Sequence, residues 1–543
     1  MSTQLPARQK TFGRRLLSLL IAVALLCPAL VVPASADSPM PQNHVPGWVE
    51  SKARRLANGF RQQGYEVGRG YFKLYTEDDC AYSYDVLHSC LGNNPAAPYV
   101  LPIVPPWPDE WVDPATAGMV GPTVQGYNAS YRLDPREAIV ILAQLPPPAR
   151  YFGLQTYLLS RPGEWNTDSD QYHFVAEHVP ALLHTFFTKL PNNQERVQLF
   201  ADLSNPINNV VIENRSGAVW DQVRAFVITP DQTMDSSVRQ ALAGIGIANE
   251  HVFTEQIPAM LGETPMAIGL DEGSDDFLTV LRYAMPDDGG GDRTRSNAWR
   301  ERLPMVVLRI RDTRPGHQPQ PYPWTAFETR FSATPPETDL KPNLVALATT
   351  ICTRWGQPCQ PSDLRPLLNM RASRLSLTGP ECVQVGMNCL APTEDTVYFM
   401  SKRLWLPDNQ VYAVVGALGT QTGNATYVGL GLNSSVNQLG FDNIDDEQLA
   451  GTADEYTAVP NHDRFYLQYF ARDCTGLETL TEGSHCYSIG DQLPDCTDPT
   501  DLTCTMLVLS VRNYLFPGSQ RGPAPEFTLN PVVITLQRPQ ETE

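Results

Sequence analysis

Three histidines crowd one stretch of this 543-residue chain: His173, His178 and His184, with Glu177 between them. Histidine and glutamate together could hold a zinc ion for hydrolysis, which needs two ligands on one helical face. The spacing does not fit. His-Glu-x-x-His is absent, and His173-x-x-x-Glu177-His178 has one residue too many for the inverted form. A separation of five also matches poorly a helix of about 3.6 residues per turn. These histidines are expected on a helix surface or in the core, with no metal bound.

Clustered carboxylates are the second candidate chemistry. Asp271, Glu272, Asp275 and Asp276 follow Gly269-Leu270. Two such groups facing each other could act as acid and base on a glycosidic bond. Asp442, Asp445, Asp446 and Glu447 form another cluster, and Asp287, Asp288 and Asp292 a third. Either could bind calcium through oxygen, although neither has the EF-hand register. The plainer expectation for all three is solvated loop. No Gly-x-Ser-x-Gly elbow occurs, which argues against an α/β-hydrolase. No Gly-x-Gly-x-x-Gly fingerprint or phosphate loop occurs either, so no cofactor is expected.

Aromatic side chains are the third. Trp107 and Trp111 sit among prolines, and Trp165 follows Gly163-Glu164 in a polar turn. Their faces could stack on a sugar or an apolar ligand. Alternatively, they pin long loops to the core.

The balance of 40 basic against 59 acidic residues, with no long basic run, argues against nucleic acid. The N-terminus reads as an export signal over residues 1–36. Arg8, Lys10, Arg14 and Arg15 precede the apolar stretch Leu16 to Leu26, and Ala34-Ser35-Ala36 offers a cleavage site. The Arg14-Arg15 pair leaves both the general secretory and the twin-arginine routes open. The expected location is secreted or periplasmic, with no membrane span after cleavage.

Losing the leader removes Cys27 and leaves an even set: Cys80, Cys90, Cys352, Cys359, Cys382, Cys389, Cys474, Cys486, Cys496 and Cys504. In an oxidising compartment these are expected as disulfides, paired with their near neighbours because short loops close at little entropic cost. Sequence alone does not fix the connectivity.

Elements follow from pattern. Residues 46–64 read as a helix, with Trp48, Val49, Ala53, Leu56, Ala57 and Phe60 recurring and Gly64 as a stop. Residues 91–125 read as Pro/Gly-rich loop. Strands are expected at Ala138 to Ala143 and Tyr151 to Leu159. A helix is expected near 171–189, kinked at Pro180. Residues 222–257 read strand–helix–strand, with Asp235 as the helix N-cap. Residues 286–343 read as long loops around one strand, Met305 to Ile310. From about 344 the chain reads strand-rich, with a hairpin at 397–418 turning on Pro407-Asp408-Asn409. The expected organisation is an N-terminal β-rich region over 37–205, an α/β unit over 206–315, a Pro-rich linker over 316–343 and a cysteine-rich β domain over 344–543. The fold class is α+β, with β-sandwich or jelly-roll-like regions around a small α/β insert.

Asn128-Ala-Ser-Tyr131, Glu137 to Ala143 and Pro147-Pro-Ala-Arg-Tyr-Phe-Gly-Leu-Gln-Thr-Tyr157 resemble a segment of bacterial exported proteins with paired β-rich domains of unknown function. Arg512-Asn-Tyr-Leu-Phe-Pro517 is similar to their closing strand region. The resemblance implies a jelly-roll-like fold and no established activity. Together these readings favour a binding or cell-envelope protein with an unidentified ligand. The alternative is an extracellular hydrolase of a glycan or ester, using clustered carboxylates or a metal.

Overall fold

The computed structural model describes residues 45–178, 180–286, 294–357, 365–366, 368–369, 378–481, 485–501 and 503–539. The expected leader, Asp287, Asp288, Asp292 and Cys359 lie outside the described residues.

Helix α1, Gly47–Gln62, buries Val49, Ala53, Leu56, Ala57 and Phe60 on one stripe. Trp48, one step off that stripe, is 43% exposed. Gly64 ends the turn with φ +84°, a value glycine adopts without strain. The chain continues through β1 Glu66–Leu74, α2 Cys80–Leu87, β2 Tyr99–Ile103, β3 Glu137–Gln144, β4 Ala149–Pro162, α3 Asp170–His178 and β5 Asn193–Asp202. Next come α4 Asn209–Ser216, β6 Val223–Thr229, α5 Gln232–Gly244, β7 Val252–Gln256, β8 Asp276–Pro286, α6 Thr294–Arg302 and β9 Met305–Arg311.

These strands build one twelve-stranded sheet in the order β7-β6-β3-β9-β1-β2-β8-β4-β5, ending on the short strand Lys189–Leu190. Ser130–Tyr131 pairs with β8 and Ile207–Asn208 with β4, off the main path. Strand alternation gives the sheet two apolar faces. Ala138, Val140 and Leu142 of β3 pack outward with α1 and α5. Ile139, Ile141 and Ala143 turn inward and share one core with Leu154, Phe226, Phe277 and Val307. A core common to strands far apart on the path requires the sheet to curl around it. Glu255 of β7 accordingly reaches Thr156 of β4.

The second half continues with α7 Lys341–Arg354, α8 Gly379–Val385, β10 Thr396–Met400, β11 Gln410–Ala417, β12 Tyr427–Ser434 and β13 Gly440–Asp445. It closes with β14 Phe465–Ala471, β15 Cys486–Ser488, β16 Leu507–Tyr514 and β17 Val532–Gln537. Two five-stranded sheets result: Arg365–Pro366 with β17-β11-β14-β15, and Leu368–Asn369 with β10-β16-β12-β13. Phe399, Val414, Leu430, Phe470 and Leu509 fill the space between them. Helix α7 covers the outer face of the first sheet, setting Leu344, Leu347 and Ile351 against Val415, Leu467 and Ile534. The chain is α+β, with a β-sandwich and a parallel strand–helix–strand unit at β6-α5-β7.

Several local expectations change, and α6, Thr294–Arg302, stands within 286–343, where only loops and one strand are expected. The Pro-rich stretch 91–125 contains β2, whose Val100, Leu101 and Ile103 are buried and outweigh the neighbouring prolines. Strand β8 starts inside the first acidic cluster, at Asp276. The strand-rich part opens with the helix α7. Finally, β10 and β11 are not a hairpin. They lie in facing sheets, because β11 is buried on both sides, Val411 and Val415 under α7 and Tyr412 and Val414 in the sandwich core.

Disulfides join Cys80–Cys90, Cys382–Cys389, Cys474–Cys486 and Cys496–Cys504, each between near neighbours. The curled sheet and the sandwich belong to one compact body. Asn93 and Gly440 exchange two hydrogen bonds across their boundary, of 3.0 and 2.8 Å. Among the described residues, no helix is long and apolar enough to cross a membrane.

Candidate functional site

The loop after β2 is held by one carboxylate. Glu110 accepts from the backbone N–H of Arg132 at 2.9 Å and from that of Trp107 at 2.9 Å. Its Oε2 also accepts from Arg309 at 2.6 Å. Arg309 stands inside β9 and is fully buried. It donates to Glu137 at 2.5 Å and to the carbonyls of Pro105 and Arg132 at 3.0 and 2.7 Å. Burial opposes the Arg309 charge, but Glu137 and Glu110 more than restore it, so its pKa is raised. The loop is thereby fixed on a rigid strand rather than left to solvent.

Arg132 lies one layer deeper and is 1% exposed. Its Nε donates to Asp276 at 2.9 Å. Its guanidinium stacks under Trp111 at 4.4 Å, a cation–π contact. Asp276 is also the partner of Arg196, at 2.9 Å, and accepts from Ser160 at 2.8 Å. The Nη1 and Nη2 groups of Arg132 are buried and meet no acceptor among the described residues. A cavity of about 10 Å³ lies here, room for roughly one water-sized group. Pro106, Trp111, Val112, Asp113, Asn128 and Ser130 line it with Arg132.

Behind the site runs a buried hydroxyl chain. Tyr131 and Thr279 are hydrogen-bonded at 2.6 Å, Thr279 and Thr156 at 2.8 Å, and Thr156 donates to Glu255 at 3.0 Å. Burial pushes the Glu255 carboxyl up to about 8, against the pull of its Thr156 hydrogen bonds.

The other expected residues disperse. Trp107 is buried: its indole donates to Glu137 at 2.9 Å, and Arg309 and Arg311 stack on its ring. It pins the loop. Trp111 lines the cavity. Trp165 is half-buried against the main core, with Lys189 over its ring at 5.9 Å. The first acidic cluster divides. Asp271 and Glu272 are exposed, whereas Asp275 is buried and held by Arg161 at 2.8 and 3.0 Å. Asp446 and Glu447 pair with Arg150, and Asp445 caps a short helix turn. His173, His178, His184 and Glu177 are exposed on α3 and the turn after it. Among the described residues, no group of three or more His, Cys, Asp or Glu side chains is placed to hold a metal.

Glu110, Arg132, Glu137 and Arg309 escaped the sequence reading. Arg309 did leave a signal, a lone cation inside the apolar run Met305-Val-Val-Leu-Arg309-Ile. A charge buried in a strand requires a partner. Which carboxylate answers it is a matter of tertiary structure.

No known family model matches the chain, and no curated protein does. Solved structures similar to it include an uncharacterised protein from Burkholderia cenocepacia, with a TM-score of 0.36 and 9% identity over 90% of this chain and 87% of that one.

Proposed function

We propose that this is an exported, disulfide-stabilised binding protein of the cell envelope that takes its ligand at the mouth beside Trp111. The observation carrying this reading is the fully buried Arg132, held by Asp276 and Trp111, with two amino groups that meet no acceptor among the described residues. A rigid loop, an aromatic face and an unspent buried donor together make a recognition site. The carboxylates that a glycosidase would need are engaged elsewhere: Asp275 by Arg161, Asp276 by Arg132 and Arg196. The leader-like N-terminus and the near-neighbour disulfides among the described residues support export.

The test has two parts. Expression of the full chain should yield a secreted or periplasmic protein whose N-terminus follows Ala36, read by N-terminal sequencing. A panel of envelope glycans, peptides and esters should then show saturable binding, weakened at least tenfold in Trp111→Ala, with no product released. Turnover of any panel member would replace this reading with the hydrolase.

A further inference from the structure

We infer that His317 is a pH-sensitive latch: as an imidazolium it clasps the 313–322 loop onto the start of α5, and the loop lifts when rising pH removes the ring proton. This goes beyond the binding reading and does not depend on it. The loop leaves β9 at Asp312 and is mostly exposed. Its His317 side chain is only 7% exposed, and it sits between two carboxylates that are fully buried. Nε2 stands 2.7 Å from Asp231, the N-cap of α5, and Nδ1 stands 2.9 Å from Asp312. Only a ring that donates from both nitrogens can meet both carboxylates, and only the protonated ring does so.

The rest of the two carboxylates is already engaged. Asp231 Oδ1 accepts from the N–H groups of Thr233 and Gln320, at 2.9 and 2.7 Å. Asp312 accepts from the Arg314 N–H at 3.1 Å and from its guanidinium at 2.8 and 2.7 Å. Charge gives the same answer. Asp231 and Asp312 carry two negative charges, which Arg314 and a protonated His317 balance. The charged groups around them are paired elsewhere: Asp235 with Arg239 on α5, Arg311 with Glu66 and Asp109 on β9, and Arg136 with Asp134 before β3. Burial raises the Tyr322 pKa, which keeps that phenol neutral. A neutral imidazole has one N–H, so one buried carboxylate would face a ring lone pair. Turning His317 out to solvent relieves that repulsion and takes the loop with it. The loop's remaining backbone ties are few. The Gln232 N–H donates to the Gln320 carbonyl and the Ala259 N–H to that of Tyr322, each at 2.9 Å. The latch therefore holds at low pH and weakens as pH rises. Its release uncovers the first turn of α5 and the turn after β7. Under the export reading, the pH of the surroundings is the signal.

The experiment follows the purified full chain by hydrogen exchange from pH 6 to pH 9, with amide rates corrected for their intrinsic pH dependence. Peptides carrying the Gln232, Ala259 and Gln320 amides should lose protection by about tenfold or more, while those of α1 stay unchanged. Slow exchange of the His317 ring C2 hydrogen, read by mass spectrometry on the same samples, gives the ring's own titration. The two midpoints should coincide. His317→Gln carries no charge at any pH, so its loop should be open throughout and lose the pH response. Glu255→Gln removes the carboxyl that burial pushes up to about 8 and should leave the loop response intact. Loop protection that is constant with pH, or that changes away from the ring's titration, overturns the inference. So does a response that survives His317→Gln or disappears in Glu255→Gln. If His317→Gln does not fold, the two midpoints in the parent chain decide. A latch that fails these tests leaves the binding reading standing, and a chain that binds no panel member can still show the latch.

Discussion

Glu137 and Arg309 are both fully buried, and each answers the other's charge at 2.5 Å. Glu137 also accepts from the Trp107 indole and from the Asp134 backbone. Removing it strands a guanidinium in the core, which is far costlier than losing an exposed pair. Glu137→Ala should therefore destabilise the fold by about 3–5 kcal/mol, measured as a drop in the urea midpoint. Glu255 carries a different residue-scale prediction. Its folded pKa is raised to about 8, above the unfolded carboxyl value of 4.5. The folded state thus favours the neutral acid. That stability is complete below about 4.5 and is lost as pH rises through about 8, at up to about 1.4 kcal/mol per pH unit. Glu255→Gln mimics the neutral form. Chemical denaturation between pH 5 and pH 8 should show a flatter stability profile in this variant, and an unchanged slope would refute the assignment.

Elements raise the question of what fixes their ends. The sequence pattern places the N-cap of helix α5 at Asp235. The cap is Asp231, which accepts from the Thr233 N–H at 2.9 Å. Asp235 instead pairs with Arg239 one turn on, at 2.8 Å, and accepts from Thr254. Local pattern places the helix but not its cap, because residues that fix Asp231 lie far along the chain. His317 sets one ring nitrogen 2.7 Å from Asp231 and the other 2.9 Å from Asp312, and the Gln320 N–H donates to Asp231 at 2.7 Å. The same limit explains the rest. Amphipathic periods revealed α1 and the β6-α5-β7 unit, while α7 was hidden by the prolines before it. Trp111 is legible as a loop aromatic, although the structure half-buries it; Arg132 is not, since nothing in Ser130-Tyr131-Arg132-Leu133 shows that Asp276 and Arg196 converge near it. Asp231→Ala should cost about 2–4 kcal/mol, from a lost cap and a buried histidine deprived of its acceptor. Hydrogen exchange should speed up together at the start of α5 and over 312–322. Faster exchange at α5 alone would show that Asp231 does not anchor that loop.

At the scale of the whole molecule, the curled sheet and the sandwich meet along a seam where backbone approaches backbone. At Gly440 the approach leaves no room for a side chain: a Cβ there would stand 2.1 Å from the Asn93 carbonyl oxygen. The reciprocal Asn93–Gly440 hydrogen bonds depend on that approach. The Cys80–Cys90 disulfide, which ties α2 to the turn after it, leans on the same seam, with the Cys90 N–H donating to the Asn437 carbonyl at 2.6 Å. Tyr151 and Tyr514 pack beside it with ring centres 4.6 Å apart, joining the two halves through a buried aromatic contact. A seam of this kind couples the halves, so the native chain should melt in one transition. Gly440→Ala must push the 90–97 loop off the sandwich, because the atom it would strike first is backbone, the Asn93 carbonyl oxygen. The expected result is a loss of about 1–3 kcal/mol and a calorimetric trace that separates into two steps. Gly244→Ala is the control. It sits at the end of α5 with nothing within 4 Å of the added carbon. Its melting should remain single and rise slightly, since alanine restricts the unfolded chain. If both variants melt in one transition at similar temperatures, the Asn93–Gly440 approach does not couple the halves, and the aromatic contact of Tyr151 with Tyr514 must do so instead.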